Sequence, residues 1–175
     1  MGSFANEIVR VAGPSLWMGQ QLLKDVKPAI FARKPLAAGK SIDTNHPAFV
    51  YGHLSLYPAK LMQAMDLDPS SGAVPPAYAE LFEAGKQCHD DPNGQIYPPM
   101  EEVTGNFFRA YNAVVEGIKT LPDETFARPT PGEGRMKEMF PQVGGFLLFM
   151  LGSHPMLHLG QVSAWRRFYG LGPVM

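Results

Sequence analysis

Five histidines stand in this chain of 175 residues: His46, His53, His89, His154 and His158. His154 and His158 are four residues apart, which on an α-helix is an angular offset of about 40° and a rise of about 6 Å. Both rings of such a pair reach one ion. A third ligand then has to come from another helix. His53 falls in the apolar stripe of an earlier periodic segment, with Phe49 and Tyr57 one turn to either side. A buried neutral imidazole has one donor and one acceptor nitrogen, and a seam of Leu, Met and Phe offers few partners for them. A metal removes the difficulty, because one nitrogen binds the ion while the other donates to a carbonyl or carboxylate. Three imidazoles also leave a coordination position open, as in catalytic zinc sites, whereas structural sites are closed by four protein ligands. Without a carboxylate, the set favours zinc or nickel over manganese or iron. A lone histidine on an apolar face is ordinarily a satisfied core residue, and an i,i+4 pair arises by chance. It is the three inward histidines together that point to an ion.

Four segments with a 3.6-residue period must position these side chains. The first runs from about Phe4 to Val26, with Pro14 inside it predicting a kink. The second begins at Asn45 as N-cap and carries Phe49, His53, Tyr57, Leu61 and Met65 in one stripe. The third spans about Met100 to Lys119, closed by Leu121-Pro122. The fourth runs from about Pro141 to Tyr169, with Leu147, Leu151, His154, His158, Gln161, Trp165 and Tyr169 near the spacing of a bundle seam. Pro155 disfavours the α conformation at His154 and deletes a hydrogen bond to the Leu151 carbonyl, so a kink or restart is expected there. No segment alternates apolar and polar residues, so strands are not expected. The economical architecture is all-α: a four-helix bundle forming one domain over residues 1–175. The connection between the second and third helices is long enough to cross the bundle, which predicts an up-down-down-up order. Pro76 to Gly85 within it reads as a short extra helix.

The stretches Asn45-His46-Pro47-Ala48-Phe49-Val50-Tyr51-Gly52-His53-Leu54 and His154-Pro155-Met156-Leu157-His158-Leu159-Gly160-Gln161 together resemble the DinB/YfiT-like superfamily of bacterial four-helix-bundle metalloproteins. In that family one histidine of the second helix and two from an H-x-x-x-H-x-G-Q-like stretch of the last helix hold a divalent metal. The resemblance carries this role to His53, His154 and His158, and the order of helices extends it over most of the chain. Residues 69–98 match nothing in the family pattern. The resemblance further implies a transferase or isomerase in which the metal activates a low-molecular-weight thiol, and a homodimer. Physically, a Lewis-acidic ion with an open position lowers the pKa of a bound thiol. The same site equally activates water for hydrolysis, so a small-molecule transferase or hydrolase is expected. A non-catalytic bundle with a structural metal or a dimerisation role is the competing reading, from a different class.

Other residues fit around this site. Gln161, three residues beyond His158 on the same stripe, can orient a metal ligand or simply pair with backbone. Tyr57 can donate to a substrate oxygen or serve as a core tyrosine. Arg166 and Arg167 suit the last turn of a helix, where surface cations complement the dipole and form salt bridges. Trp17 and Trp165 suggest a covered bundle face or a dimer contact. His46, beside the expected cap, is read as solvent-facing, and Cys88-His89-Asp90-Asp91 as an exposed loop leading into the Pro92-Asn93-Gly94 turn. That acidic stretch lacks the glutamate that closes an EF-hand, so calcium is not expected. Gly132-Glu133-Gly134 is a turn with no strand before it to cradle phosphate.

Composition narrows the function classes. With 15 basic and 16 acidic residues the formal charge is −1, and no basic patch offers itself to nucleic acid. Hydrophobic residues make up 45% and charged residues 18%, a globular balance that excludes a disordered tail. Glycine (18) and proline (17) are abundant and gather between the apolar segments. One cysteine precludes an internal disulfide. No run of about 18 apolar residues predicts a membrane span, and the first residues match neither a secretory signal nor a myristoylation pattern. A cytoplasmic location without membrane or nucleic-acid partners is the resulting expectation.

Overall fold

A computed structural model describes residues 2–174 and is predominantly helical. Helix α1 covers Ser3–Gln21 and continues through Pro14. After the short α2 (Pro28–Phe31) comes a two-stranded hairpin, β1 (Leu36–Ala37) against β2 (Lys40–Ser41), which the sequence pattern did not predict. The second periodic segment is broken. Helix α3 spans Pro47–Leu54 and α4 restarts at Pro58 and runs to Ala64. Pro58 has no N–H to bond the Leu54 carbonyl, and its ring is tolerated at the first position of a new helix. A 3-10 turn (Pro69–Gly72) and α5 (Ala77–Phe82) follow, the latter inside the expected extra helix. Helix α6 (Met100–Lys119) has the bounds expected of the third segment and buries Val103, Phe107, Ala110, Tyr111, Val114 and Ile118 on one face. Two short helices, α7 (Glu124–Ala127) and α8 (Arg135–Met139), precede the last segment.

That segment is α9 (Val143–Leu148), a π-helical stretch (Phe149–Ser153) and α10 (His154–Phe168) in direct succession. The π stretch lies immediately before Pro155, where the missing N–H predicts a restart; a wider turn absorbs the proline without ending the helix. Ser15 of α1 donates to the Gly152 carbonyl inside that turn. Over eighteen residues the mean hydropathy of Val143–Phe168 reaches 1.2, enough by length and composition to cross a membrane. In this structure the segment packs on α1 and α3, and 44% of that window is buried.

Paired contacts fix how the long segments lie. The Asp123 carboxylate after α6 accepts from the N–H groups of Phe4 and Ala5, capping α1, while Gly19 near the other end of α1 sits against Phe107. These two helices run in opposite directions. Tyr51 meets the Phe107 ring edge-on and Leu67 covers Gly117, so the α3–α4 stretch runs in the same direction as α6. Phe4 lies against Gly144 and Arg166 reaches Leu22, so the last segment runs with α1. Asn45 bonds Gln161 whereas His53 faces His154, so α3 opposes α10. Buried faces of all four segments contribute to one apolar core that includes Ile8, Leu54, Phe107, Leu151 and Trp165.

Three expectations are corrected. Arg166 is not a surface cation: it is 3% exposed and donates to the carbonyls of Leu22 and Lys24, acceptors left over beyond α1, and to that of Gly172 after its own helix. Trp165 is fully buried and donates to the Arg33 carbonyl, while Trp17 is exposed, so the two do not share a face. The acidic loop is exposed only in part: His89 and the turn after it face outward, but Cys88 and Asp91 are buried, and Asp90 holds Arg33 in a two-pronged ion pair. Burial alone would push the Asp91 carboxyl up, but N–H groups of Gln95, Ile96 and Tyr97 converge on it and hold it below the usual range.

Gly52 sits where α3 meets α5, and a Cβ there would stand 2.6 Å from the buried Phe82 ring. Gly52→Ala is expected to destabilise the protein by about 1–3 kcal/mol through overpacking. A denaturant midpoint equal to wild type would show that Phe82 gives way freely.

Candidate metal centre

His53 occupies the last turn of α3 and is 6% exposed. Its Nδ1 lies 2.8 Å from the carbonyl oxygen of Phe82, the last residue of α5. A carbonyl only accepts, so Nδ1 carries the proton and Nε2 is left with the lone pair. This is how a second-layer partner fixes the tautomer of a metal-ligating histidine. The Tyr57 hydroxyl stands 3.2 Å from that Nε2.

His154 and His158 open α10 immediately after the π stretch, and both are half-buried. Their ring centroids are 4.7 Å apart, and the His158 ring is also 4.7 Å from that of His53. The three side chains each offer one ring nitrogen, and these atoms lie within 4.8 Å of one another. The structure therefore brings together the three histidines singled out in the sequence, as a cluster that can hold a divalent metal ion. The donor set fits such an ion on a second count. The Nδ1 of His154 is buried and has no hydrogen-bond partner among the described residues, a state that is costly for an imidazole unless something binds that nitrogen.

Electrostatics keep the rings in the ligating form. Burial pushes His154 and His158 down to about 4, and repulsion from the neighbouring imidazoles adds to it. Burial also lowers His53, against the opposing effect of the Phe82 carbonyl. At neutral pH all three are uncharged.

The cluster lies in a cleft of about 380 Å³ whose wall includes Phe49, Tyr57 and Asn45, with Glu83 and Lys86 at one side. Gln161 accepts a hydrogen bond from Asn45 at 3.0 Å, which ties α10 to the residue just before the α3 cap. Tyr57 is half-buried, and burial together with the Glu83 charge raises its hydroxyl above the usual range, which keeps the proton on it. Residues 69–98 thus have a place: α5 supplies the carbonyl that sets His53, and the chain after it lines the cleft. Nothing in the sequence marked these contacts, because a backbone carbonyl has no residue signature.

His46 is corrected from a solvent-facing residue to a fully buried one. It, not Asn45, caps α3: Nδ1 accepts from the Phe49 N–H at 3.2 Å, and Nε2 donates to the His89 carbonyl at 2.8 Å. Tyr97 covers it edge-on. His89 itself takes no part in the cluster. Comparison with protein-family models finds no match, and comparison with curated proteins likewise finds none.

Burial pushes His46 down to about 4, from a value near 6.5 in an unfolded chain. Each of His46, His154 and His158 in the metal-free protein therefore binds fewer protons folded than unfolded between those two values. Their contribution is complete above pH about 6.5 and is lost as pH falls towards 4, at up to about 1.4 kcal/mol per pH unit for the deeply buried His46 and less for the two half-buried, mutually coupled rings. Denaturant midpoints of chelator-treated protein should decline steadily from pH 7 to pH 4.5. A flat profile over that window would contradict neutral buried histidines.

Proposed function

We propose that this chain is a divalent-metal protein of the DinB/YfiT-like superfamily, a four-helix bundle in up-down-down-up order with the stretch 65–99 crossing between its second and third helices. The pairings of α1, α3–α4, α6 and the last segment support that order. His53, His154 and His158 would hold one ion, with zinc or nickel favoured by three neutral imidazoles. We propose a small-molecule transferase or hydrolase, with water or a low-molecular-weight thiol as the activated group. The observation that carries the reading is the convergence of three ring nitrogens on a cleft, together with the partnerless His154 Nδ1.

An ion with an open position supplies Lewis acidity, lowering the pKa of a bound water or thiol. The chain supplies the rest. Phe82 orients His53 through its carbonyl, and the Asn45–Gln161 hydrogen bond ties α10 to the start of α3 beside His158. Phe49 stacks on His53 at 6.4 Å between centroids and forms part of the apolar wall of the cleft. Glu83 and Lys86 place one charge of each sign beside the cleft, where a polar substrate would enter. Among the described residues no fourth histidine, cysteine or carboxylate joins the cluster, which favours an open site over a closed structural one.

Two outcomes are expected. Alanine at any one of His53, His154 or His158 should weaken zinc binding by at least about a hundredfold in calorimetric titration, above the range ascribed to supporting residues. Wild-type affinity in His53→Ala would overturn the ligand set. Removal of the ion by a chelator should leave the far-ultraviolet dichroism intact, because the apolar core does not depend on it; unfolding on chelation would instead indicate a structural metal.

A further inference from the structure

The Tyr57 hydroxyl and a metal ion require the same lone pair. His53 Nδ1 is committed as a donor to the Phe82 carbonyl, so Nε2 is the one ring nitrogen able to accept or ligate. The Tyr57 O–H, 3.2 Å away, therefore donates to Nε2. One lone pair cannot serve a proton donor and an ion together. The Tyr57 hydroxyl has no other hydrogen-bond partner among the described residues, and its ring borders both His53 and His154, at 5.2 and 4.8 Å between centroids. The break before Pro58 fixes its backbone at the start of α4, so the side chain stays over the cleft.

Resting on the three-histidine metal reading above, we propose that Tyr57 is the hydrogen-bond donor to whatever oxygen occupies the open position. In the metal-free chain its hydroxyl saturates His53; with Nε2 engaged, the O–H is released beside the site. The ligand class this selects is an anionic or strongly polarised oxygen, such as a carboxylate, a hydroxamate or a carbonyl under attack. Charged acceptors gain most from such a donor. Tyr57 thereby has two opposed roles: it competes with the ion and assists the ion's further ligand.

Opposed roles give opposed signs. Wild type and Tyr57→Phe are stripped of metal and titrated with cobalt(II), followed by visible absorption; the loaded proteins are then titrated with acetohydroxamate. Loss of the competing hydrogen bond is expected to tighten cobalt binding by about threefold to tenfold. Loss of the donor is expected to weaken acetohydroxamate by about tenfold or more. A tyrosine that only fills space would move neither constant, and one that supports the fold would lower both along with the thermal midpoint; either result overturns the proposal. Tyr57→Met, which keeps bulk without a hydroxyl, repeats the comparison if the phenylalanine variant does not fold. Failure of wild type to bind cobalt at all would overturn the metal reading itself, an outcome distinct from any difference between the two proteins.

Discussion

An imidazole removed from water must find partners for two nitrogens, and much of this structure is arranged around that requirement. His46 meets it wholly within the protein, accepting from Phe49 and donating to His89. His53 meets half of it with the Phe82 carbonyl and borrows Tyr57 for the rest. His154 leaves its Nδ1 buried and unmatched. The gradation from satisfied to unsatisfied runs towards the cleft, and it separates a structural histidine from the three that can hold an ion. A buried nitrogen without a partner is uncommon in a core, and here it belongs to one of three imidazoles that lie together.

Supporting this arrangement takes chain that contributes little to the long helices. Helix α5 delivers one carbonyl to His53, and its Phe82 ring packs against Gly52 in the turn that carries the ligand. The loop that follows brings the His89 carbonyl to His46 and is itself closed by N–H groups gathered on Asp91. On the opposite side of the cluster the π stretch delivers His154 and His158 to a continuing helix despite Pro155. A wide turn changes the facing of every residue after it, so the histidine pair is set by this turn as much as by its own spacing.

Much of this was legible from residue spacing. The period of Val103, Phe107, Ala110, Val114 and Ile118 marked α6, and the i,i+4 pair with His53 marked the cluster, because side-chain direction follows from helical geometry. What spacing could not reveal was anything decided by a distant carbonyl. His46 looked exposed because only the fold brings residues 89 and 97 over it. Arg166 looked like a surface cation because its acceptors, the carbonyls of Leu22, Lys24 and Gly172, are invisible in residue types. Asn45 looked like a helix cap and instead lies one residue outside it, bonded across to Gln161. Boundaries failed where a proline allowed two outcomes: Pro58 restarts a helix, whereas Pro155 follows one that never stops.

The central claim is that three histidines make an open site for a divalent ion, and elemental mass spectrometry addresses it most directly. Protein prepared without an affinity tag or added metal is predicted to carry close to one equivalent of zinc or nickel per chain. A preparation free of metal, which also takes up neither ion when they are supplied to the folded protein, would contradict the claim and return His53, His154 and His158 to the core.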